Sequence, residues 1–275
     1  MSRRRAALLL LLGTLAACRT GRNYESPTGP RYAGGPGARA AAPGDSATLR
    51  IVSFNLEFGL HVDGAIRMLT SDPALRGADV ILLQEMDERG TRQVADALGL
   101  WYVYFPAIFH LRTGRKFGNA VLSRWPIVED RKILLPHVAR FSRTRRTATA
   151  ATLRVGNASV RVYCAHLSTM TDVTPAARRD QLRTILSDAA RYPRVVIGGD
   201  MNDAAVGRVA RQMGYAWPTE HGPDTSRLGR WDHIFLKGLA SPDTAAAGTV
   251  LDVAHASDHR PVWAVAMLRV PLTRL

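Results

Sequence analysis

Polar side chains of a few kinds stand at the ends of six apolar, strand-like segments of this chain. In chain order they are Asn55, Glu85, His166, Asp200 with Asn202, Asp232, and Asp258 with His259. One such residue would mean little, because polar side chains often end a strand and cap the next element. Six strand ends that carry only carboxylates, carboxamides and imidazoles are better explained by one shared site, since active sites form where strand ends meet loops on a rigid scaffold.

The residue types at these ends suit a hard metal ion and a phosphate ester. Carboxylate and amide oxygens with few competing soft ligands favour Mg²⁺ or Mn²⁺, which proteins bind through one or two carboxylates together with substrate phosphate. Imidazoles and further carboxylates beside such an ion supply proton transfer and hydrogen bonds to phosphate oxygens. The pattern therefore predicts metal-assisted hydrolysis of a phosphate ester.

Two other chemistries fit the sequence poorly. Ser257, Asp258 and His259 are adjacent, so on an extended chain they point in alternating directions, and the sequence has no G-x-S-x-G motif. It also has neither C-x-x-C nor H-E-x-x-H, and His255 with His259 match zinc-ligand spacing only on a helix, in a segment that is typical of loop and strand. Acyl transfer by a serine triad and zinc chemistry are therefore disfavoured.

The segments that position these residues predict one α/β or α+β domain from Thr48 to Leu275. The predicted strands are Leu49 to Phe54, Val80 to Leu83, Val160 to Ala165, Val195 to Ile197, Ile234 to Leu236 and Val262 to Met267. The predicted helices are Glu88 to Leu98, Asp203 to Met213, and a segment that starts at Thr174-Pro175 and is closed by Pro193. Glycines follow the first two helices, as expected of helix ends.

The first 17 residues predict a secretory signal peptide, because they contain three arginines, a short leucine-rich run and then small residues. The run is far shorter than the roughly 20 residues needed to span a bilayer. The segment Leu-Ala-Ala-Cys, which ends at Cys18, resembles the lipobox of bacterial lipoproteins. We therefore expect Cys18 to be lipidated and the protein to be anchored to a membrane, in the periplasm or at the cell surface. An ordinary signal peptide cleaved near Ala17 is the alternative.

Residues 18–47 predict a disordered tether between this anchor and the domain. The stretch from Thr20 to Ser46 is rich in Gly, Pro, Ala and Arg and has almost no large apolar residue, so it cannot bury enough surface to fold alone. Apart from Cys18, Cys164 is the only cysteine, which excludes a disulfide within the mature domain.

Seven short motifs together resemble the endonuclease/exonuclease/phosphatase superfamily, which includes deoxyribonuclease I. They are SFNLEFG, LLQEM, GNAVLSRWPI, CAHLS, GGDMND, WDHIF and SDHRPV, in the family's order and over nearly all of the predicted domain. The resemblance implies an α/β (α+β) fold, a four-layer sandwich of two packed, mixed but mainly antiparallel β-sheets flanked by helices. It also implies dependence on Mg²⁺ or Mn²⁺.

The same resemblance implies roles for particular residues. The family's metal-binding glutamate falls on Glu85, and Asn55 helps to order or bind the metal. The histidine that donates a hydrogen bond to a non-bridging phosphate oxygen falls on His166. Arg146, in the cluster FSRTRR, and Asn119, in FGNAVLS, are candidates for contact with the substrate phosphate, although a solvated charge run and a turn former are alternatives.

The family's remaining motifs place the acid–base residues and leave two assignments open. Asp200 and Asn202 correspond to the pair that transfers a proton and orients water or phosphate, and Asp232 to a later aspartate of the site. In one assignment Asp258 accepts the imidazole hydrogen bond of His259, which is the general base. In the other, Asp258 and His259 lie near the metal, Asp258 as a ligand, and Asp200 takes the proton.

The substrate class is open at this level. A net charge of +14, most of it after Thr48, favours a nuclease or phosphodiesterase acting on DNA or RNA in the cell envelope or outside the cell. The alternative is a phospholipid hydrolase resembling sphingomyelinase, or a hydrolase of inositol phosphates or other phosphomonoesters. An apolar insertion loop, which a phospholipid hydrolase would be expected to have, is missing, because the run Leu100 to Ile108 is better explained as a strand.

We expect the protein to be a monomer. A binding protein that merely keeps the fold is disfavoured, because no motif residue is lost.

Overall fold

The computed structural model describes residues 21–36, 46–240 and 246–268, and these residues form two β-sheets and four α-helices. The first sheet contains β1 (Gly21–Asn23), β2 (Tyr32–Gly34), β3 (Thr48–Asn55), β4 (Val80–Met86), β5 (Trp101–His110), β6 (Arg115–Ser123), β12 (Ala247–Thr249) and β13 (Val262–Met267). The second contains β7 (Ile127–Leu134), β8 (Thr147–Val155), β9 (Ala158–His166), β10 (Val195–Asp200) and β11 (Asp232–Lys237). The helices are α1 (Val62–Ser71), α2 (Glu88–Leu98), α3 (Pro175–Ala189) and α4 (Gly207–Gln212).

The two sheets pack face to face, and helices cover both outer faces. Strand order is β1-β5-β6-β4-β3-β13-β12 in the first sheet, with β2 also paired to β5, and β11-β10-β9-β8-β7 in the second. Aliphatic side chains from the inner faces of both sheets, such as Ile51 and Val162, form the central core. Leu69 of α1 and Val94 of α2 pack on the outside of the first sheet, and Leu182 of α3 packs on the second. The four-layer, mainly antiparallel sandwich expected from the resemblance is confirmed.

The helix ends follow from local chemistry. The Asp87 side chain accepts a hydrogen bond from the Gly90 N–H at the start of α2, and Gly99 ends that helix with a φ of 65°. The predicted bounds of this helix are confirmed. The helix predicted from Asp203 to Met213 is shorter than expected, because the Asp203 carboxylate accepts from the Ala205 N–H in a turn that precedes α4. Helix α1 was not predicted.

Strand register brings the predicted site residues to one end of the sandwich. In the second sheet Asp200 is directly opposite His166 on one side and Asp232 on the other, so the three side chains share a face. In the first sheet β3 and β4 are parallel, and Asn55 lies opposite Gln84, the residue before Glu85. The carboxyl ends of two parallel strand pairs therefore meet at the same edge.

Glycine permits the close approach of strands beneath Asp200. Gly199 has a φ of 150°, and a Cβ atom built on it would lie 1.8 Å from the Ala165 carbonyl oxygen of the neighbouring strand. A Cβ on Gly198 would meet the Leu82 side chain of the opposite sheet at 2.6 Å. The two glycines thus let β10 approach both its neighbour and the other sheet, which places Asp200 between them.

Residues 21–36 do not form the disordered tether that composition predicts. They form β1 and β2, which pair antiparallel with β5. Cys18, the signal peptide and residues 37–45 lie outside the described residues. All of the run Leu100 to Ile108 except Leu100 lies in strand β5, as expected. Among the described residues, no helix has both the length and the apolar character that a membrane crossing requires.

Candidate active site

The buried carboxylate of Asp200 is the centre of the predicted site. Its Oδ2 atom accepts a hydrogen bond from Asn55 Nδ2 at 3.1 Å and lies 3.3 Å from His166 Nε2. The same oxygen is 3.8 Å from His259 Nε2, and Oδ1 accepts from the Asn202 N–H at 2.9 Å. Burial, together with the negative charge of neighbouring carboxylates, raises the pKa of Asp200. The structure therefore collects residues from both sheets around one carboxylate.

The state of His166 is fixed by its two neighbours. Arg146 Nη1 lies 3.1 Å from His166 Nδ1, and because a guanidinium has no acceptor, Nδ1 must accept this bond. The ring proton is then on Nε2 and points toward Asp200. Burial is the main cause that holds the pKa of His166 well below its usual range, and the positive charge of Arg146 lowers this pKa further. His166 is therefore a neutral donor at physiological pH.

Asp232 holds and orients His259. Its Oδ2 atom accepts from His259 Nδ1 at 2.8 Å, while its backbone N–H donates to Thr225 Oγ1. Although burial alone would lower the pKa of His259, the charges of Asp232 and Asp200 raise it to about 10. The second oxygen of Asp232, Oδ1, is buried and has no hydrogen-bond partner among the described residues. An unpartnered buried carboxylate oxygen beside Asp200 is a ready ligand for a cation.

The prediction that Asp258 accepts the imidazole hydrogen bond is wrong. Asp258 is exposed, and Asp232 takes that role. The reason is local, because the Ser257 hydroxyl donates to the Asn55 carbonyl and accepts from the His259 N–H. This turn directs His259 into the site and Asp258 out of it.

Glu85 and Asn55 form a second carboxylate position beside Asp200. Glu85 Oε1 accepts from Asn55 Nδ2 at 3.2 Å, and Oε2 accepts from the Phe58 N–H at 3.1 Å. Asn55 Oδ1 accepts from the Glu57 N–H, so the amide presents its nitrogen to both carboxylates. Asn55 therefore orders the carboxylates and is not placed as a metal ligand. Burial raises the pKa of Glu85, and the adjacent Arg146 partly offsets this.

Glu85 also stands in an uncommon backbone conformation. Its φ is 61°, at a point where the pairing of β4 with β6 shifts register. Positive φ is rare for a residue with a side chain and costs of order 1 kcal/mol or more, so it persists where surrounding structure requires it. The irregularity turns the Glu85 side chain toward Asn55.

The other predicted residues are placed differently from one another. Arg146 is in the site, with its guanidinium 5.3 Å from the Phe117 ring centroid as well as beside His166. Asn202 donates from its amide to the Leu167 carbonyl and contributes its backbone N–H to Asp200. Asn119 is buried between the sheets, where it donates to the Thr147 carbonyl.

Sequence reasoning missed the aromatic residues around the site. Phe58 and Phe117 have ring centroids 5.2 Å apart and, with Ile108, Arg145 and Arg146, line a cavity of about 140 Å³. Phe58 lies inside the motif SFNLEFG, and Phe117 directly precedes the motif GNAVLSRWPI, but the predicted chemistry rests on the polar residues of these motifs alone. The cavity gives the site an apolar wall next to a guanidinium.

The site's donor set fits a divalent cation. One ligand atom each from Asp200, Asp232 and His259 can be chosen so that all three lie within 4.8 Å of one another. Asp258 is not in this group. Carboxylate oxygens suit Mg²⁺ or Mn²⁺, and the unpartnered Asp232 Oδ1 leaves one oxygen free for an ion.

The assignment of Asp232, and not Asp258, as the hydrogen-bond partner of His259 can be tested by titrating His259 in the metal-free protein. Asp232→Asn removes the main charge that raises the pKa of His259, so that pKa should fall by roughly 1 to 3 units. Asp258→Asn, the matched control, should change it by less than about half a unit, because an exposed charge is screened by solvent. NMR of the imidazole protons measures both. A larger shift in Asp258→Asn than in Asp232→Asn would refute the assignment.

Several solved structures share this fold at low sequence identity. A TDP2 from D. rerio complexed with single-strand DNA product is 20% identical, with a TM-score of 0.64 over 80% of this chain and 99% of that one. Sphingomyelinase C from Streptomyces griseocarneus is 19% identical, with a TM-score of 0.57 over 82% and 100%. An endonuclease/exonuclease/phosphatase from Bacteroides vulgatus is 13% identical, with a TM-score of 0.65 over 82% and 100%. These likenesses show the fold.

Among curated proteins, none matches the sequence significantly. Residues 52–259, however, match the sequence pattern of a described family. That range runs from β3 to His259 and includes the residues gathered around Asp200. The chain therefore belongs to the Endonuclease/Exonuclease/phosphatase family.

Proposed function

We propose that this protein is a divalent-metal-dependent phosphodiesterase that cleaves phosphate diesters at the Asp200 site. The observation that carries the proposal is the buried group of Asp200, Asp232 and His259, open to an ion and flanked by Arg146. Membership of the family supports it, as does the shared fold with a TDP2 solved with a DNA product and with a sphingomyelinase C.

Mg²⁺ or Mn²⁺ is the proposed cofactor. Asp200 and Asp232 would hold it through carboxylate oxygens, with Glu85 as a further carboxylate on the other side of Asn55. A bound divalent ion polarises a phosphate ester and lowers the pKa of a coordinated water. The protein contributes the fixed donor set and a buried setting in which those charges act strongly.

The protein's own residues supply binding and proton transfer. Arg146 offers a guanidinium for non-bridging phosphate oxygens, and its bond to His166 Nδ1 keeps it in place. The Nδ1–H of His259 is held by Asp232, so its Nε2 atom faces Asp200 and is the atom that exchanges a proton. Asp200, with raised pKa, is within reach of the same proton. The Asp232–His259 pair takes the place of the Asp258–His259 pair expected from the motif.

Nucleic acid is the proposed substrate class, in the cell envelope or outside the cell. The chain carries a net charge of +14, and phosphate-backbone affinity comes from such charge. One observation favours the alternative, a phospholipid hydrolase. Strand β1 begins at Gly21, three residues after Cys18, so a lipid on Cys18 would hold the β1–β5 edge within about 10 Å of a bilayer.

Metal dependence and substrate class can be measured together. The purified protein should hydrolyse bis-p-nitrophenyl phosphate with Mg²⁺ or Mn²⁺, and a chelator should abolish turnover, because the carboxylates alone cannot activate water. His259→Ala is the inactive control. Plasmid DNA, RNA, sphingomyelin vesicles and inositol phosphates should then be compared, with nucleic acid cleaved fastest. Full activity in the chelator would contradict the metal assignment, and faster sphingomyelin cleavage would favour the alternative.

Membrane anchoring is proposed through Cys18 and has its own test. In cells that process lipoproteins, Cys18→Ser should move the protein from the membrane fraction to the soluble fraction, because the substitution removes the thiol that would carry the lipid. Fractionation and immunoblotting measure this, with Cys164→Ser as a matched cysteine control. Unchanged membrane association of Cys18→Ser would refute the anchor.

A further inference from the structure

Arg146 is carried to the site by a loop whose first half is held by α3 and by the turn that precedes this helix: Gln181 Nε2 donates to the Pro136 carbonyl at 2.9 Å, and the Arg140 N–H donates to the Asp172 carbonyl at 3.0 Å. This arginine loop, residues 135–146, connects β7 to β8. Arg143 within it has a φ of 57°, an uncommon backbone conformation for a residue with a side chain. Phe141 is 62% exposed, so the loop tip is not held by packing. At the end nearest the site, the Leu135 N–H donates to the Arg146 carbonyl at 3.0 Å, and contacts from outside the loop hold the residues just before Arg146.

Asn23, which is 120 residues earlier in the chain than Arg143, clamps this end of the loop. Its Nδ2 atom donates to the Arg143 carbonyl at 3.1 Å, and its Oδ1 atom accepts from the Arg145 N–H at 2.8 Å. One amide thus satisfies two backbone groups on either side of Thr144. Glu25 adds an ion pair with the Arg145 side chain at 3.1 Å. These contacts fix the backbone next to Arg146.

The segment that carries Asn23 is itself held by both sheets. On the first sheet, β1 pairs with β5 and the Tyr24 N–H donates to the Ala107 carbonyl. On the second, Lys132 of β7 donates to the Tyr24 and Gly29 carbonyls, each at 2.8 Å. Arg31 makes two bonds of 2.6 Å to Asp130 of β7. Residues 21–36 are therefore a strap across the open edge of the sandwich.

We propose that this strap positions Arg146 for the substrate phosphate and that Asn23 is the positioning residue. The inference rests on the proposed function for the role of Arg146. A segment that precedes the core of the family domain would then set the phosphate affinity of the site. Displacement of a long guanidinium by about 1 Å is enough to weaken phosphate binding strongly, since bidentate contacts depend on geometry.

The test is a double-mutant cycle between Asn23 and Arg146. Asn23→Ala should lower kcat/KM for bis-p-nitrophenyl phosphate about tenfold, mainly through KM, and should weaken inorganic phosphate binding by a similar factor. In an Arg146→Ala background the same substitution should have no further effect, because Asn23 acts through Arg146. Arg31→Ala is the matched control, since it removes a strap contact far from the loop, and it should stay within twofold of wild type.

Each outcome decides between the accounts. Equal losses from Asn23→Ala in both backgrounds, or equal losses in Asn23→Ala and Arg31→Ala, would mean a general structural role and overturn the proposal. If Asn23→Ala does not fold, Asn23→Asp keeps the acceptor for the Arg145 N–H, and a smaller loss that again vanishes with Arg146→Ala is expected. If the wild-type protein binds phosphate more tightly than Asn23→Ala but cleaves no diester, the proposed function is wrong and the positioning role of Asn23 stands.

Discussion

The buried carboxylate of Asp200 is the constraint on which the rest of the structure depends. An ionised carboxylate without partners in a protein interior costs several kcal/mol, so its donors must be supplied by the fold. Asn55 comes from the first sheet, and His166 and the Asn202 N–H come from the second. Both sheets must therefore be in register and in contact for the charge to be satisfied, and the Gly198–Gly199 pair makes that contact possible.

The same requirement explains the asymmetry of charge within the site. Asp200, Asp232 and Glu85 concentrate negative charge in a small volume, and Arg146 with the imidazole of His259 offsets part of it. A divalent ion would offset more, and substrate phosphate would then be held by the ion and by Arg146 together. The site thus has more negative charge than its own residues balance, and a bound metal ion would compensate for this excess.

Much of this site can be read from the sequence because it is made of strand ends. Alternating apolar runs followed by Asn55, His166 or Asp200 predict that these residues meet, and the structure places them together. The orientation of Asp258 could not be predicted, because the side chain of Ser257 and a carbonyl two hundred residues away set that turn.

The ordered structure of the strap could not be predicted from composition, for a related reason. Residues 21–36 have few apolar side chains, and their order comes from hydrogen bonds to Ala107, Asp130 and Lys132, which no local window of sequence contains. The same limit applies to Arg146. The sequence does not distinguish it from the other arginines of its cluster, and only its contacts with His166 and Phe117 show that it enters the site. Local pattern predicts elements and their ends, whereas long-range polar contacts decide which side chains enter the site.

The most direct measurement of the central claim is the effect of Asp200→Asn on divalent-ion affinity, diester hydrolysis and thermal unfolding of one protein preparation. The substitution keeps the shape of the side chain and removes its charge. We expect a loss of at least about 100-fold in kcat/KM together with weaker Mn²⁺ binding by calorimetry, and a Tm within about 5 °C of wild type. Hydrolysis and Mn²⁺ affinity within threefold of wild type would contradict the account.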